Sequence, residues 1–329
     1  MESLLEVNDL VVTARSGGRS IELIDRVDLR VGRGEIVGLV GESGSGKSTT
    51  SAAIIDLFNS DSVRRSGGSI VLDGEHLEKL SPRRMAKVRG RRIAMVFQDP
   101  SAYLDPTMAV GAQVAEALPR GTDRDARRAR VVELLTLMGL PDPAELAKRY
   151  PHELSGGQRQ RVLIAAALAA EPDLLIADEP STALDVTVQA QILALLRELR
   201  DKLGLAILFI THDLGVVAEM CDRVYVMYAG QVVEERGIES LFTDPRHPYT
   251  VGLLNSSLGE EARVEELFSI PGRVPDPRVM PSGCRFAPRC PLATEECTQE
   301  PVMVEVTDGR SACWHTDLVS RSIWEDQHV

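Results

Sequence analysis

Apolar and polar residues alternate along the first part of the chain. The segment "LLEVNDLVVTA" (4–14) alternates and is rich in β-branched side chains, and "IELIDRVDLRV" (21–31) repeats this pattern. A period of two is typical of half-buried strands, so both segments are predicted to be strands. Because they precede any predicted helix, they are expected to form a separate antiparallel piece.

Short runs that are almost wholly apolar follow, and they indicate strands that are buried on both faces. These runs are "RGEIVGLV" (33–40), "RRIAMVF" (91–97), "DLLIADEP" (173–180) and "LAILFITHD" (205–213). Helical patterns separate them. Strands that alternate with helices predict an α/β fold, in which a mainly parallel sheet is covered on both faces.

Three stretches have the pattern of helices. Residues 47–58 are predicted to be helical, and so are most of residues 108–170, with a break around "GLPDP". Residues 187–203 are predicted to form an amphipathic helix. Its apolar face is expected to consist of Ile192, Leu195, Leu196, Leu199 and Leu203.

The last part of the chain has a different composition. A hairpin is predicted in "RVYVMYAGQVVEE" (223–235), with its turn at Ala229-Gly230. Proline and cysteine then become frequent, and "IPGRVPDPRVMPSGC" (270–284) is too rich in proline for a helix or a central strand. We therefore predict a domain boundary near residue 255, with one domain over 1–255 and a second over 256–329.

Composition and charge narrow the function classes. Aromatic residues make up only 4% of the chain, so an aliphatic core is expected, and the net charge of −12 argues against binding to nucleic acid. The basic stretch "RRMAKVRGRR" (83–92) is either a local basic patch or the solvated face of a helix. The sequence shows no signal-peptide pattern and no apolar stretch of the ~18 residues that cross a bilayer, so a cytoplasmic chain is expected, either soluble or held at a membrane by another protein.

A glycine-rich loop is the strongest chemical signal. "GESGSGKS" (41–48) fits G-x-x-x-x-G-K-[ST] and lies between a predicted buried strand and a predicted helix. Backbone N–H groups in such a loop surround phosphate oxygens, and the positive end of the helix faces the same anion. Lys47 is expected to reach the β- and γ-phosphates, and the Ser48 hydroxyl to bind Mg²⁺. The alternative is a glycine-rich turn that matches the motif by chance.

Polar residues stand at the ends of three predicted strands. Asp178 is expected to hold Mg²⁺, and the adjacent Glu179 to act as general base on the attacking water. The alternative for both acids is a polar strand end before a turn. His212 and Gln98 are candidates for contact with the γ-phosphate, Gln98 with Mg²⁺ as well, because ligands bind at the carboxyl ends of parallel strands. A structural histidine and a loop-capping glutamine are the alternatives.

A second helix start also indicates an anion. "LSGGQRQR" (154–161) places Ser-Gly-Gly directly before a good helix-forming stretch, "VLIAAALAA". Such a start suits the close approach of something negatively charged to the helix end.

Four of the five cysteines fall in the last fifth of the chain, and in a reducing cytosol such a cluster indicates metal ligands before disulfides. They are Cys284, Cys290, Cys297 and Cys313. Their spacing contains no C-x-x-C pair and fits a zinc ribbon poorly. Four thiolates suit Zn²⁺ or an iron–sulfur cluster, and the third possibility is that no metal is bound. Cys221 is expected to be a buried small hydrophobe, and His315 is a possible substitute ligand.

These motifs together resemble the ATP-binding cassette (ABC) superfamily, in order and in approximate spacing, over residues 4–255. The resemblance rests on the 41–48 loop, Gln98, "LSGGQ" (154–158), "LLIADEP" (174–180), "ALD" (183–185) and His212. It implies an α/β fold with a P-loop ATPase core, an antiparallel β subdomain and a helical subdomain at about 101–170. A small cysteine-rich domain is expected to follow at the C-terminal end.

The resemblance also implies the binding and catalytic residues. Glu179, His212 and Gln98 would be catalytic, and Mg²⁺ would contact Ser48, Gln98 and Asp178. Two cassettes dimerise head to tail in this family, and the "LSGGQ" segment of one closes over the γ-phosphate held by the other. The nucleotide-binding residues would be Gly41, Ser43, Gly44, Ser45, Gly46, Lys47, Ser48, Thr49, Ser155, Gly156, Gly157, Gln158 and Asp185. The family usually stacks adenine on an aromatic residue, but Ala14 stands near that place and no aromatic residue precedes Phe58.

A narrower resemblance is to the peptide and nickel branch of ABC importers. It rests on "FQDPSAYLDP" (97–106), "HPYT" (247–250) and the tail "GCRFAPRCPLATEEC" (283–297). It implies a peripheral subunit on the cytoplasmic face of the membrane, which drives two permease subunits supplied by an extracytoplasmic solute-binding protein. Residues 99–110 would contact the permeases. A second ATPase subunit is implied, expected to be a different chain, although two copies of this chain would also complete the site.

The same resemblance favours one metal and leaves other functions open. Some members hold a [4Fe–4S] cluster in such a tail, with Zn²⁺ as the alternative here and Cys313 as the fourth ligand. The cluster would brace a small domain or act in redox sensing. A soluble ABC-type ATPase acting on DNA or ribosomes is a second hypothesis. A nucleotide-dependent regulatory module is a third, and the presence of Glu179 and His212 speaks against it.

Overall fold

The computed structural model describes residues 2–119, 121–180, 184–258 and 268–324, and in these ranges strands and helices alternate as the hydrophobic pattern predicts. The strands are β1 (Ser3–Ser16), β2 (Arg19–Gly32), β3 (Ile36–Val40), β4 (Val63–Leu72), β5 (Glu75–His76), β6 (Ile93–Val96), β7 (Leu174–Asp178), β8 (Ala206–Thr211), β9 (Arg223–Tyr228), β10 (Gln231–Gly237), β11 (Val304–Val306) and β12 (Gly309–Ser311). The helices are α1 (Lys47–Ile54), α2 (Pro82–Val88), α3 (Pro100–Tyr103), α4 (Val110–Ala117), α5 (Arg124–Leu137), α6 (Pro143–Leu146), α7 (Gly156–Leu168), α8 (Val186–Leu203), α9 (Leu214–Met220), α10 (Ile238–Thr243) and α11 (Pro248–Leu258).

The chain forms two compact units. The first consists mainly of Lys79–Phe209 together with Gly32–Glu35. It contains the helices α2 to α8 and the strand order β8-β7-β6, in which β6 and β7 are parallel. The second consists of Ser3–Val31, Ile36–Glu78 and the chain from Ile210 onward.

The opening strands of the second unit form an antiparallel sheet, as predicted. Its order is β2-β1-β4-β5, with β1 antiparallel to β4 and β4 antiparallel to β5. The register pairs Leu5 with Leu72 and Val7 with Ile70, so that apolar side chains from both strands lie in the core. This sheet follows from the alternating pattern, because every second residue of such a strand faces the same side.

A further part of the second unit has the strand order β11-β12-β10-β9-β3. β9 runs parallel to β3, and the predicted hairpin is confirmed as the antiparallel pair β9 and β10. Residues 268–324 belong to this same unit, and β12 extends the sheet by pairing with β10. The proline-rich segment 270–284 contains neither helix nor strand, as predicted.

The predicted buried strands lie in the core. Every residue of β3, β7 and β8 is buried. The helical stretch is confirmed and breaks between α5 and α6, where "GLPDP" supplies a left-handed glycine and two prolines. The amphipathic helix is α8, but its predicted apolar face was wrong at one end. Leu203 is 55% exposed because α8 ends there and Gly204 caps it with a left-handed backbone.

Candidate functional site

The glycine-rich loop connects β3 to α1 in the second unit. Gly41 has a φ of 150°, and a Cβ built on it would lie 2.1 Å from the carbonyl oxygen of Met227. Only glycine therefore fits at this position without movement of β9. Ser45 is buried in the loop, whereas Ser43 and Gly44 at its tip are exposed. The two ends of the loop are therefore packed in the core, and its tip is accessible to solvent.

Lys47 is the first residue of α1 and is 6% exposed. Its Nζ donates to the carbonyl oxygens of Gly41 at 2.7 Å and Glu42 at 3.0 Å. The ammonium group is thus fixed over the same loop whose N–H groups can surround a phosphate. The hydroxyl of the exposed Ser48 stands at the next position of the helix. A cationic group, a hydroxyl and a helix N-terminus make this loop able to bind a polyphosphate together with Mg²⁺.

His212 follows β8 directly and is exposed. The next residue, Asp213, caps α9 by accepting from the N–H groups of Gly215 at 2.8 Å and Val216 at 3.2 Å. The backbone around His212 is therefore fixed by a strand on one side and a capped helix on the other.

The predicted acids lie in the first unit, at the end of β7. Asp178 is the last residue of the strand and is 9% exposed. Glu179 leaves the strand with a left-handed φ of 48°, which costs a non-glycine residue ~1 kcal/mol or more and is common at functional sites. Gln98 Nε2 donates to Glu179 Oε2 at 3.0 Å. The structure thus brings together two of the three predicted catalytic side chains.

The "LSGGQ" segment forms the start of α7, as predicted. Ser155 Oγ accepts from the N–H of Gln158 at 3.3 Å, and Gln158 Oε1 accepts from the N–H of Ser155 at 3.0 Å. This capping box satisfies helix-end donors. A Cβ on Gly157 would lie 2.5 Å from Val188 Cγ1, so close packing against α8 also requires glycine there. The family resemblance implies a different reason for this glycine, which is the close approach of a phosphate to the helix end.

Asp185 is the N-cap of α8, and its side chain accepts from the N–H of Val188 at 3.0 Å. Ala183 of the predicted "ALD" segment lies outside the described residues. Asp185 and Gly157 therefore converge on Val188, which joins the starts of α7 and α8.

The cysteines divide into one core residue and a C-terminal group. Cys221 is 6% exposed, which confirms its predicted place in the core. Burial, with smaller contributions from the nearby Cys284 and Cys297 thiols, raises the pKa of the Cys290 thiol to about 12 and that of the Cys313 thiol to about 11. Cys290 and Cys313 therefore lie near the other C-terminal thiols of the second unit.

The neighbourhood of these thiols is partly polar. His315 Nε2 lies 2.8 Å from Thr294 Oγ1, and its backbone N–H donates to Cys313 Sγ at 3.4 Å. The N–H of Cys284 donates to the carbonyl oxygen of Cys297 at 3.0 Å. Within the described ranges, no group of three or more His, Cys, Asp and Glu side chains is arranged to hold a single metal ion.

Two residues that surround the loop are not predicted by the sequence analysis. Arg289 and Tyr249 both contact Glu42, the second residue of the glycine-rich loop. The available signals were the position of Arg289 directly before Cys290 and of Tyr249 within "HPYT". Neither signal names a partner, because the contacts join segments that are far apart in sequence.

Helices in the described part of the chain are too short or too polar to cross a bilayer. Within the described ranges, the longest helix of the first unit is α8, with 18 residues.

Two family profiles match the chain. The profile described as "ABC transporter" matches residues 24–182, and the profile "Oligopeptide/dipeptide transporter, C-terminal region" matches residues 233–297. The chain is 46% identical to the oligopeptide transport ATP-binding protein AppD of Bacillus subtilis over 94% of this chain and 96% of that protein. It is 50% identical to the oligopeptide transport ATP-binding protein OppD of Mycobacterium tuberculosis over 97% of this chain. The chain spans only 53% of that mycobacterial relative.

Solved structures share the fold. The dimeric post-hydrolysis structure of the ATP-binding cassette MJ0796, bound to ADP and Pi, aligns with a TM-score of 0.64 and 31% identity over 71% of this chain and 98% of that one. The cassette cbiO1 of Clostridium perfringens, part of the transporter complex cbiONQ, aligns with a TM-score of 0.65 and 29% identity over 79% and 99% of the two chains. With its P-loop ATPase fold of mixed sheets and helices, the chain belongs to the ABC transporter family, in the branch of oligopeptide and dipeptide transport ATP-binding proteins.

Proposed function

We propose that this chain binds and hydrolyses ATP and that hydrolysis powers the uptake of peptides or similar small solutes. The observation that carries the proposal is the phosphate loop with its fixed Lys47, in a chain 46% identical to AppD over nearly the whole length of both. A soluble ATPase that acts on DNA or ribosomes is not favoured, because the oligopeptide/dipeptide C-terminal profile also matches.

Each predicted site residue has a role in this proposal. Lys47 binds the β- and γ-phosphates, and the loop N–H groups surround them. Ser48, Gln98 and Asp178 offer hydroxyl, amide and carboxylate oxygens, which are the donors that Mg²⁺ prefers, and a bound Mg²⁺ would neutralise charge on the phosphates. Glu179 accepts the proton of the attacking water, and His212 donates to the γ-phosphate.

A second cassette completes the site in this proposal. The N-terminus of α7, with Ser155, Gly156, Gly157 and Gln158, closes over the triphosphate bound by the partner cassette, and Asp185 lies near the interface. The dimeric state of the MJ0796 cassette, bound to ADP and Pi, supports this arrangement by analogy. A heterodimer is the expected pairing, although this chain carries both halves of a composite site.

The proposal includes a C-terminal iron–sulfur cluster. We propose that residues 256–329 act as a small cysteine-rich domain next to a nucleotide-binding domain over 1–255, and that the four C-terminal thiols hold a [4Fe–4S] cluster. The chemistry of the donor set supports this proposal, because four cysteine thiolates are the usual ligands of such a cluster, and a backbone hydrogen bond of 3.0 Å joins Cys284 to Cys297. The iron atoms of a cubane are spread in space, so it accepts thiolates too widely spaced for a single Zn²⁺. The cluster would brace a segment with few strands and helices.

The partners in this proposal are two membrane permeases, a second ATPase subunit and an extracytoplasmic solute-binding protein, without nucleic acid. The chain would lie peripherally on the cytoplasmic face of the membrane, with residues 99–110 against the permeases.

The test is affinity purification of the tagged chain from its native membranes, followed by assay of the recovered complex. Two permeases and ATP turnover stimulated by peptide-loaded binding protein are expected. Recovery with ribosomes or DNA, and no permease, would contradict the proposal.

A further inference from the structure

Arg289 is a buried, positively charged residue that connects the cysteine-bearing segment (284–313) to the phosphate loop. It stands one position before Cys290, and its side chain is 4% exposed. Its Nη1 donates to Glu42 Oε2 at 2.7 Å and its Nη2 to Glu42 Oε1 at 3.0 Å. Two parallel hydrogen bonds between a guanidinium and a carboxylate form a geometrically specific pair.

The guanidinium group is itself fixed by two backbone carbonyl groups and by Tyr228 of β9. Nε donates to the carbonyl oxygen of Pro271 at 2.8 Å, Nη2 to that of Ile270 at 3.2 Å, and Nη1 to Tyr228 Oη at 3.4 Å. The cation also lies over the Tyr228 ring, 5.7 Å from its centroid. All five N–H donors of the side chain therefore have partners, and the side chain has little freedom to leave Glu42.

Glu42 is held at its backbone as well as at its carboxylate. Its N–H donates to Tyr249 Oη at 2.7 Å, and Tyr249 is fully buried. Its carbonyl oxygen accepts from Lys47 Nζ at 3.0 Å. The residue that Arg289 grips is thus bonded directly to the lysine that is proposed to bind the triphosphate.

A second arginine of the same segment acts on the other side of the loop. Arg285 follows Cys284, donates to the carbonyl oxygen of Ala229 at 2.6 Å and pairs with Asp25. The next residue of that turn, Gly230, donates its N–H to the carbonyl oxygen of Ser45 at 2.8 Å. Both arginines next to cysteines therefore support residues that touch the loop.

We propose that Arg289 is a positioning residue for the phosphate loop: through Glu42 it holds the loop and neutralises a carboxylate that would otherwise repel the triphosphate. Nucleotide affinity thereby depends on the fold of the cysteine-bearing segment. The inference rests on the proposed binding of ATP by this loop. Preorganisation of a binding loop increases affinity because less ordering is left to occur on binding.

The test measures the Kd of MgATP for the full-length chain by isothermal titration calorimetry. Arg289→Ala and Arg289→Lys are compared with the wild type, since lysine keeps the charge but loses the paired geometry. We expect about tenfold weaker binding for Arg289→Ala and about fivefold weaker binding for Arg289→Lys, within the usual range of coupling between sites. The matched control is Arg278→Ala, which removes an exposed arginine that pairs locally with Asp276.

A double-mutant cycle separates positioning from general loss of stability. Because Arg289 acts through Glu42, Arg289→Lys in a Glu42→Gln background is expected to change the Kd by less than about twofold. If Arg289→Ala does not fold, the lysine variant and this cycle decide the question. Steady-state kinetics add a second measure: KM for MgATP is expected to rise more than kcat falls.

The outcomes are distinguishable. If the wild-type chain binds MgATP no better than a Lys47→Ala variant does, both the proposed function and this inference are overturned. Normal binding by the wild type, with unchanged Kd in folded Arg289→Lys and Arg289→Ala, would overturn the inference alone. An equal loss for Arg289→Lys with and without Glu42→Gln would also overturn it, because Arg289 would then not act through Glu42.

Discussion

Gln98 Nε2 donates to Glu179 Oε2 at 3.0 Å, and this hydrogen bond joins the end of β6 to the end of β7. The two residues are 81 positions apart in sequence. The amide hydrogen bond fixes the orientation of this carboxylate. A carboxylate oriented in this way is suited to receive a proton from a water molecule.

Glu179→Gln is expected to reduce ATP turnover by about 10²- to 10⁴-fold, the usual contribution of a general base. Glutamine has the same size and can still bond to Gln98, but it cannot accept the proton. Nucleotide binding should therefore persist, and ATP-bound dimers should accumulate. The measurements are phosphate release and the oligomeric state in MgATP by light scattering.

The matched control for this substitution is Glu198→Gln on α8, where the carboxylate is exposed and pairs with Lys202. Its turnover should equal that of the wild type. Turnover by Glu179→Gln at the wild-type rate would show that another group removes the proton.

Local patterns were enough to predict the elements that carry the phosphate site. The buried strands β3, β7 and β8 can be predicted because a short apolar run bounded by glycine or acidic residues indicates a strand that is buried on both faces. The loop between β3 and α1 was recognisable because its chemistry needs glycines and lysine at fixed spacing. The capping box at Ser155 and Gln158 is likewise contained in four consecutive residues.

Contacts between distant segments could not be predicted in the same way. Arg289 and Glu42 are 247 positions apart, and nothing in either local pattern indicates the other.

The small number of aromatic residues is also misleading about the composition of the core. Tyr228, Tyr249 and Phe286 pack against one another near this pair, so one part of the core is aromatic although the composition indicates an aliphatic one. Such packing depends on which faces meet, which periodicity does not specify.

Gly157→Ala is expected to destabilise the first unit by about 1–3 kcal/mol, the usual cost of inserting a methyl group into a packed site. The new Cβ would lie 2.5 Å from Val188 Cγ1, and the stiff valine cannot turn away easily. The measurement is the free energy of unfolding in urea.

Val188→Ala provides the matched test of this clash, because it removes the atom that the new methyl group would meet. The double variant Gly157→Ala/Val188→Ala should recover most of the loss caused by Gly157→Ala. Equal destabilisation in the two backgrounds would show that Gly157 is needed for its backbone conformation and not for packing.

The proposed cluster predicts a metal content. Protein purified under anaerobic conditions should be brown and contain about four iron and four sulfide per chain. Cys290→Ser should lose most of this iron, because one ligand is removed. Cys221→Ala, which changes a buried cysteine of the core, should retain it. A colourless wild-type protein with one zinc per chain would instead support the single-ion alternative.

The buried His247 predicts a pH dependence of stability. Burial lowers the pKa of its imidazole to about 3, and Nδ1 accepts from the N–H of Tyr249 at 3.1 Å, so the folded chain keeps it neutral. The unfolded chain binds the proton below a pKa near 6.5. Unfolding is therefore favoured as the pH falls, by about 1.4 kcal/mol between pH 7.5 and 5.5.

A neighbouring acid acts in the opposite direction. Burial raises the pKa of Glu234 to about 7, so its contribution to stability is present at low pH and is lost as the pH rises towards 7. Comparison of the wild type with His247→Asn isolates the histidine, because Glu234 is common to both chains and the asparagine oxygen can still accept from Tyr249. The difference in unfolding free energy between the two chains should shift by about 1.4 kcal/mol in favour of the variant from pH 7.5 to 5.5. A difference that stays constant over this range would mean that His247 is protonated to the same extent in the folded and unfolded chains.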